Sequence, residues 1–319
     1  MLAAAGLPER MTSLHLRVER LFDWITARRD HLRGYGLALA LLVFAGGLVW
    51  SVNSVPDLGD RIRFAPLLLL LVIGAPVGTL LNSVEMYAIS RIAGGPMTWR
   101  TSFEITVYTS AANMLPLPGG AIAKLAAMKV HGVGIARGST MIVLSAAIWG
   151  GLAFLYSGGA LLWLGHGRVA AAFALAGLGL LLLGGFGFAR FGKWRLVGVI
   201  ALMRIVSFPL EAFRYMLALI AVGASVGFVQ SSIFVVASFI ASLVVFAPSG
   251  LGVGESTAAL LSSLIGISAA LGFVAAALGR VVRLTGLSLI VGALLLFRRS
   301  TDAPRPRVPV LAAGHSGSR

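Results

Sequence analysis

The chain has no cysteine, which excludes disulfides and thiolate metal sites and leaves the redox compartment unread. It has few charges: 12% of its 319 residues are Asp, Glu, Lys or Arg, about half of what a soluble domain of this length carries. Acidic residues are scarcest, 11 against 26 basic ones. That imbalance, +15 in formal charge, does not mark a nucleic-acid binder, because the basic residues cluster in short segments beside long apolar runs. Cytoplasmic loops of membrane proteins are built that way. Histidine is also sparse, and His131 and His166 have no second histidine or carboxylate at ligand spacing, so no metal site, cofactor or catalytic set is expected.

What the sequence does have is hydrophobic length: 58% apolar residues and a mean hydropathy of +0.94. Apolar stretches at 35–54, 64–92, 137–158, 168–189, 196–224 and 268–297 each reach the roughly 20 residues a helix needs to cross a bilayer. Trp24, Trp50, Trp99, Trp163 and Trp194 fall at the ends of such stretches, as an interfacial belt requires. The first 34 residues are of mixed charge and do not resemble a cleaved signal. Within them, Leu14, Val18, Leu21, Phe22 and Ile25 recur at helical spacing among four arginines. This suggests either an amphipathic surface helix or a plain basic topogenic segment. The last residues, 300–319, are rich in Pro, Gly and Ser and are expected to be disordered.

Two further apolar stretches, 100–131 and 230–265, are broken at their centres. The first carries Asn113, Pro118, Gly119 and Gly120; the second carries Pro248, Gly250, Gly252, Gly254 and Glu255. Proline removes a backbone donor and glycine weakens a helix, so neither run is expected to stay continuous. If both were straight spans, the flanking Lys and Arg would divide fourteen inside to seven outside; if both are re-entrant hairpins, eighteen lie inside and three outside. The positive-inside rule favours hairpins. The order span, span, hairpin, span then occurs twice, with corresponding landmarks offset by 133, 132, 130 and 131 residues. Three crossings per unit make the second copy inverted, an arrangement used by transporters. The expected fold is an all-α polytopic membrane protein of two inverted repeats, about 35–158 and 168–297, each with three spans and one broken re-entrant hairpin. Residues 1–34 form a cytoplasmic basic segment and 35–299 the transmembrane domain.

Ionisable residues within the apolar segments are costly and mark function. They are Glu85, Lys124, Arg204, Glu211, Arg214, Glu255, Arg280 and Arg283. Arg204 and Glu211, seven apart, share a helix face; Glu211 and Arg214, three apart, can touch. Arg280 and Arg283 lie one turn apart, beside a stripe of Gly272, Gly279 and Gly286 that permits close helix contact. Guanidinium forks suit phosphate oxygens, and a half-helix starting near Gly119 would add free amides. The alternative is that these charges only pair with one another and fix packing. Arg280 and Arg283 are expected to face one polar cavity shared with Lys124 and Glu255. Glu104, at the start of the first broken segment, is expected to be solvated.

At the two broken segments the sequence resembles the transmembrane flippase region of the lysylphosphatidylglycerol synthase family and its stand-alone relatives. An Asn-x-Leu-x-Pro-Gly-like segment is present as Asn113 to Gly120, followed by Lys124, Lys129 and His131-Gly132-Val133. The later Pro-x-Gly-Leu-Gly-Val-x-Glu signature is present as Pro248 to Glu255. Two positions depart: Ala121 stands where relatives often carry an acid, and Gly254 where an arginine is common. The resemblance covers 35–297, without the aminoacyl-transferase domain. It implies a stand-alone lipid flippase or scramblase of the bacterial cytoplasmic membrane, both termini cytoplasmic, whose partners are membrane lipids. A polyprenyl-phosphate carrier, a lipid-modifying enzyme and a scaffold for a separate lipid-synthesis enzyme are the alternatives, and a homo-oligomer is compatible with each.

Overall fold

The computed structural model describes residues 29–95, 97–112, 119–192, 194–244 and 250–301, and every element among them is helical. The chain runs through α1 (Arg29–Ser54), a single turn α2 (Leu58–Arg61), α3 (Phe64–Ala93), α4 (Trp99–Ala112) and α5 (Gly119–Val130). It continues through α6 (Ile135–Trp163), α7 (Gly167–Ala189), α8 (Trp194–Ala221) and α9 (Phe228–Leu243), the last with a turn at Ile233 and Phe234. It closes with α10 (Val253–Leu264) and α11 (Ala269–Thr301).

Six of these helices, α1, α3, α6, α7, α8 and α11, are long and apolar enough to cross a membrane. They coincide with the six apolar stretches of the sequence. The largest differences are at the start of α1, which begins at Arg29 instead of 35, and at the end of α6, which runs to Trp163 instead of 158. Gly158 does not end that helix, because it faces α7 so closely that a Cβ would lie 3.1 Å from the Cβ of Phe173. Large side chains such as Leu175 (73% exposed) and Phe186 (71%) project outward from α7, where a bilayer supplies the apolar partner. The basic amphipathic segment lies outside the described residues except where its end begins α1, and the tail from 302 is outside them too.

The broken segments are pairs of short helices. α4 packs on α5, and α9 on α10. At 14 and 12 residues, α4 and α10 are about 21 and 18 Å long, short of the ~30 Å hydrocarbon core. Asn113, Pro118 and Pro248 lie outside the described residues; Gly119 and Gly120 open α5.

A small buried cluster around Phe208 and Phe239 joins α6, α8 and α9, and two larger ones hold the rest of the bundle. One joins α8, α9, α10 and α11 around Leu219, Phe234 and Val274; the other joins α3, α5, α6 and α8 around Met86, Ile89, Met128 and Met141. The central pair is α3 against α8. The most extensive contact is α6 with α7, where glycines bring the backbones together: a Cβ on Gly151 or on Gly177 would lie 2.8 Å from the other's carbonyl oxygen. Without a hydrophobic force between helices in lipid, such close packing is what holds them. The glycine stripe of α11 serves likewise: Gly272 meets Ala258 of α10, Gly279 lies by Ala218 of α8, and Gly286 meets Ala75 of α3.

α3 is not a regular helix. Leu70–Gly74 form a π turn immediately before Ala75 and Pro76. Pro76 has no N–H to give the carbonyl of Val72, and its ring crowds that carbonyl, so the backbone widens there. α8 likewise contains Pro209.

Candidate functional site

Each buried carboxylate sits where a helix face turns inward, and each is held by more than one donor. Glu85 of α3 takes an ion pair from Arg204 of α8 and a 2.5 Å hydrogen bond from the Ser145 hydroxyl of α6. The Arg204 guanidinium also stacks 4.7 Å over the Trp149 ring. Lys124 of α5 lies within the electrostatic reach of Glu85 and Arg204. A first cluster thus joins the centre of α3 to α5, α6 and α8.

The second cluster lies farther along α8. Glu211 accepts from Arg214 at 2.9 Å and from Ser238 of α9 at 2.7 Å, and the Tyr215 hydroxyl lies 3.5 Å from Ser238. Arg283 of α11 projects toward the same groups, with Arg214, Glu211 and Arg280 its charged neighbours. The Arg214 side chain lies over Gly74 and Gly78, so near that a Cβ on Gly74 would sit 3.3 Å from its Nε. The π turn and its glycine therefore make the room this arginine occupies.

The third group fixes the break before α10. Glu255, 1% exposed, accepts from Arg280 Nε at 2.6 Å and from the Gly252 amide at 2.8 Å. Arg280 also donates to the Gly250 carbonyl at 3.3 Å. Gly250 has φ +65° and faces the Ala241 backbone, and Gly252 has φ +80°, so both positions need glycine. Gly254 sits under Arg280, its Cβ position 3.7 Å from the guanidinium.

Between the second and third groups is a small open cleft of about 40 Å³. Its polar lining is Glu211, Arg214, Tyr215, Ser238, Arg280 and Arg283, and its apolar lining Leu70 of the π turn, Ala218, Ala275, Ala276 and Gly279. A lining of both charged and apolar groups, between helices long enough to span a bilayer, suits an amphiphile.

Sequence spacing located these charges but not all their partners. Glu211 and Arg214 pair as expected. Arg204, which shares a helix face with Glu211, reaches across to pair with Glu85. Arg280 and Glu255 meet, and Arg283 lines the cleft beside Arg280, but Lys124 belongs to the Glu85 cluster and not to that cleft. Glu104 pairs with Arg100 at 3.3 Å on α4. Ser145, Trp149, Tyr215, Ser238 and the π turn were not singled out from sequence. The available signal was a hydroxyl in the middle of an apolar span, which needs a partner there, and Pro76 inside one. Comparison of the chain with known protein families, with curated proteins and with solved structures finds no match.

Proposed function

We propose that this chain is a membrane lipid transporter of the flippase or scramblase type, in which the headgroup passes through the charged cleft while the acyl chains stay in the bilayer. The cleft carries the reading: three arginines and a glutamate line it together with apolar residues of the spanning helices. Ionisable groups at such depth line substrate paths.

Two features of the architecture support it. The packing pairs of the bundle occur in exchanged twos. α3 on α4 answers to α8 on α9, α5 on α6 to α10 on α11, α9 on α6 to α4 on α11, and α6 on α7 to α11 on α1. Pro76 and Pro209, 133 residues apart, fall on the two central helices at the repeat offset. This is what two inverted repeats of three spans and one re-entrant hairpin would give, with the tips at Gly119–Gly120 and Gly250–Gly254 facing the headgroup path. The resemblance to the lysylphosphatidylglycerol flippase region, which rests on the two broken-segment motifs, points the same way and to a bacterial cytoplasmic membrane.

The test is reconstitution in vesicles carrying fluorescent phospholipids and a fluorescent prenyl phosphate, with leaflet exchange measured at matched protein content. Protein-dependent exchange of at least one lipid is expected. No exchange of any lipid would overturn transport and leave a scaffold or enzyme.

A further inference from the structure

All three buried carboxylates of the charged clusters are committed. Glu85 is held by Arg204 and Ser145, Glu211 by Arg214 and Ser238, and Glu255 by Arg280 and the Gly252 amide. Of the cations in these clusters, two make no hydrogen bond or ion pair with a described residue: Lys124 and Arg283. Arg283 is the one that lines the cleft, and Arg214 and Arg280 beside it add to the positive field. Counting Glu255 with its partner Arg280, three guanidiniums there stand against two carboxylates. An excess cation at membrane depth is stabilised by a countercharge brought by the ligand. Leu70, Ala218, Ala275 and Ala276 line the same cleft, so the ligand that brings the countercharge there is an amphiphile.

We infer that the site selects lipids whose headgroup is net negative, with Arg283 as the residue that contacts the phosphate. A guanidinium with free donors meets two phosphate oxygens at once. The headgroup is a phosphodiester or phosphomonoester without a compensating amine, because an ethanolamine, choline or aminoacyl ammonium finds no uncommitted carboxylate among the described residues of the cleft. A cationic aminoacyl lipid, the cargo that the flippase resemblance would suggest, is thereby disfavoured. The inference rests on the cleft being a lipid-headgroup site.

The experiment is a binding titration of the full chain in neutral detergent, followed by native mass spectrometry. The probes are phosphatidylglycerol, phosphatidic acid, phosphatidylethanolamine, phosphatidylcholine and lysylphosphatidylglycerol, with inorganic phosphate and glycerol 3-phosphate as headgroup-only arms. The two anionic lipids are expected to bind about tenfold or more tighter than the zwitterionic and cationic ones, about 1.4 kcal/mol. Arg283→Gln should remove that preference and Arg283→Lys should keep part of it, since lysine retains the charge without the fork. Equal binding of amine-bearing lipids by the native chain would overturn the inference, whatever the variants do. So would an unchanged preference in Arg283→Gln, or binding of free phosphate as tight as that of the lipids. Anionic preference without leaflet exchange would keep this site and remove transport; exchange with no headgroup preference would do the reverse.

Discussion

At the scale of single residues, Glu255 shows how much one buried side chain can fix. Its oxygens are divided between a guanidinium on α11 and a backbone amide at the start of α10, so the break before α10 and the last span are tied at one point. Removing one partner of a buried pair leaves the other charge stranded, at a cost of about 3–5 kcal/mol. Glu255→Gln is therefore expected to lower unfolding stability in a detergent titration by about 3 kcal/mol, and Glu255→Gln with Arg280→Met to recover a large part of it. Full additivity of the two changes would mean that the pair is not a unit. The ionisable residues themselves were legible in the sequence, since charges in apolar runs stand out. Their pairing was not, because Arg204 has Glu211 two turns away on its own helix yet pairs with Glu85, 119 residues distant. Spacing along one helix says which groups share a face and not what that face meets.

At the scale of elements, the six long helices could be placed from hydropathy alone, because the bilayer imposes one length on all of them. The errors fell where packing overrides local propensity. Gly158, which reads as a helix end, lies inside α6 because α7 comes too close for a side chain. The π turn could not be placed from hydropathy, though Pro76 was its cause in plain view. That turn sets which side of α3 faces Arg214 and brings Leu70 to the cleft. Pro76→Ala would supply the missing N–H and let α3 regularise. The expected outcome is an unfolding stability raised by about 1 kcal/mol, with slower lipid exchange as Leu70 rotates off the cleft wall. Lower stability with unchanged exchange would mean that the proline serves packing only.

At the scale of the whole molecule, orientation can be measured cleanly because the chain has no native cysteine. Arg100, Arg137, Ser225 and Ser268 are exposed. Single cysteines at Arg100 and Arg137 are expected to label from the cytoplasmic side only, and at Ser225 and Ser268 from the opposite side only. Labelling of positions 100 and 137 from opposite sides would restore straight spans in place of hairpins. The exchanged packing has a further consequence, for assembly. α6 makes its main contact with α7, and α11, which packs most on α10, also packs on α1 near the other end of the chain. The two ends of the chain are thus tied to each other across the bundle, and the part up to α6 lacks the helix that α6 packs on most. If the chain is cut at the exposed Gly165, between α6 and α7, the two fragments are expected to be degraded when made alone and to co-purify when made together. Recovery of either fragment alone as a monodisperse species would show that the halves mature independently. If they do not, the first half waits in the membrane, unfinished, until the ribosome delivers the second.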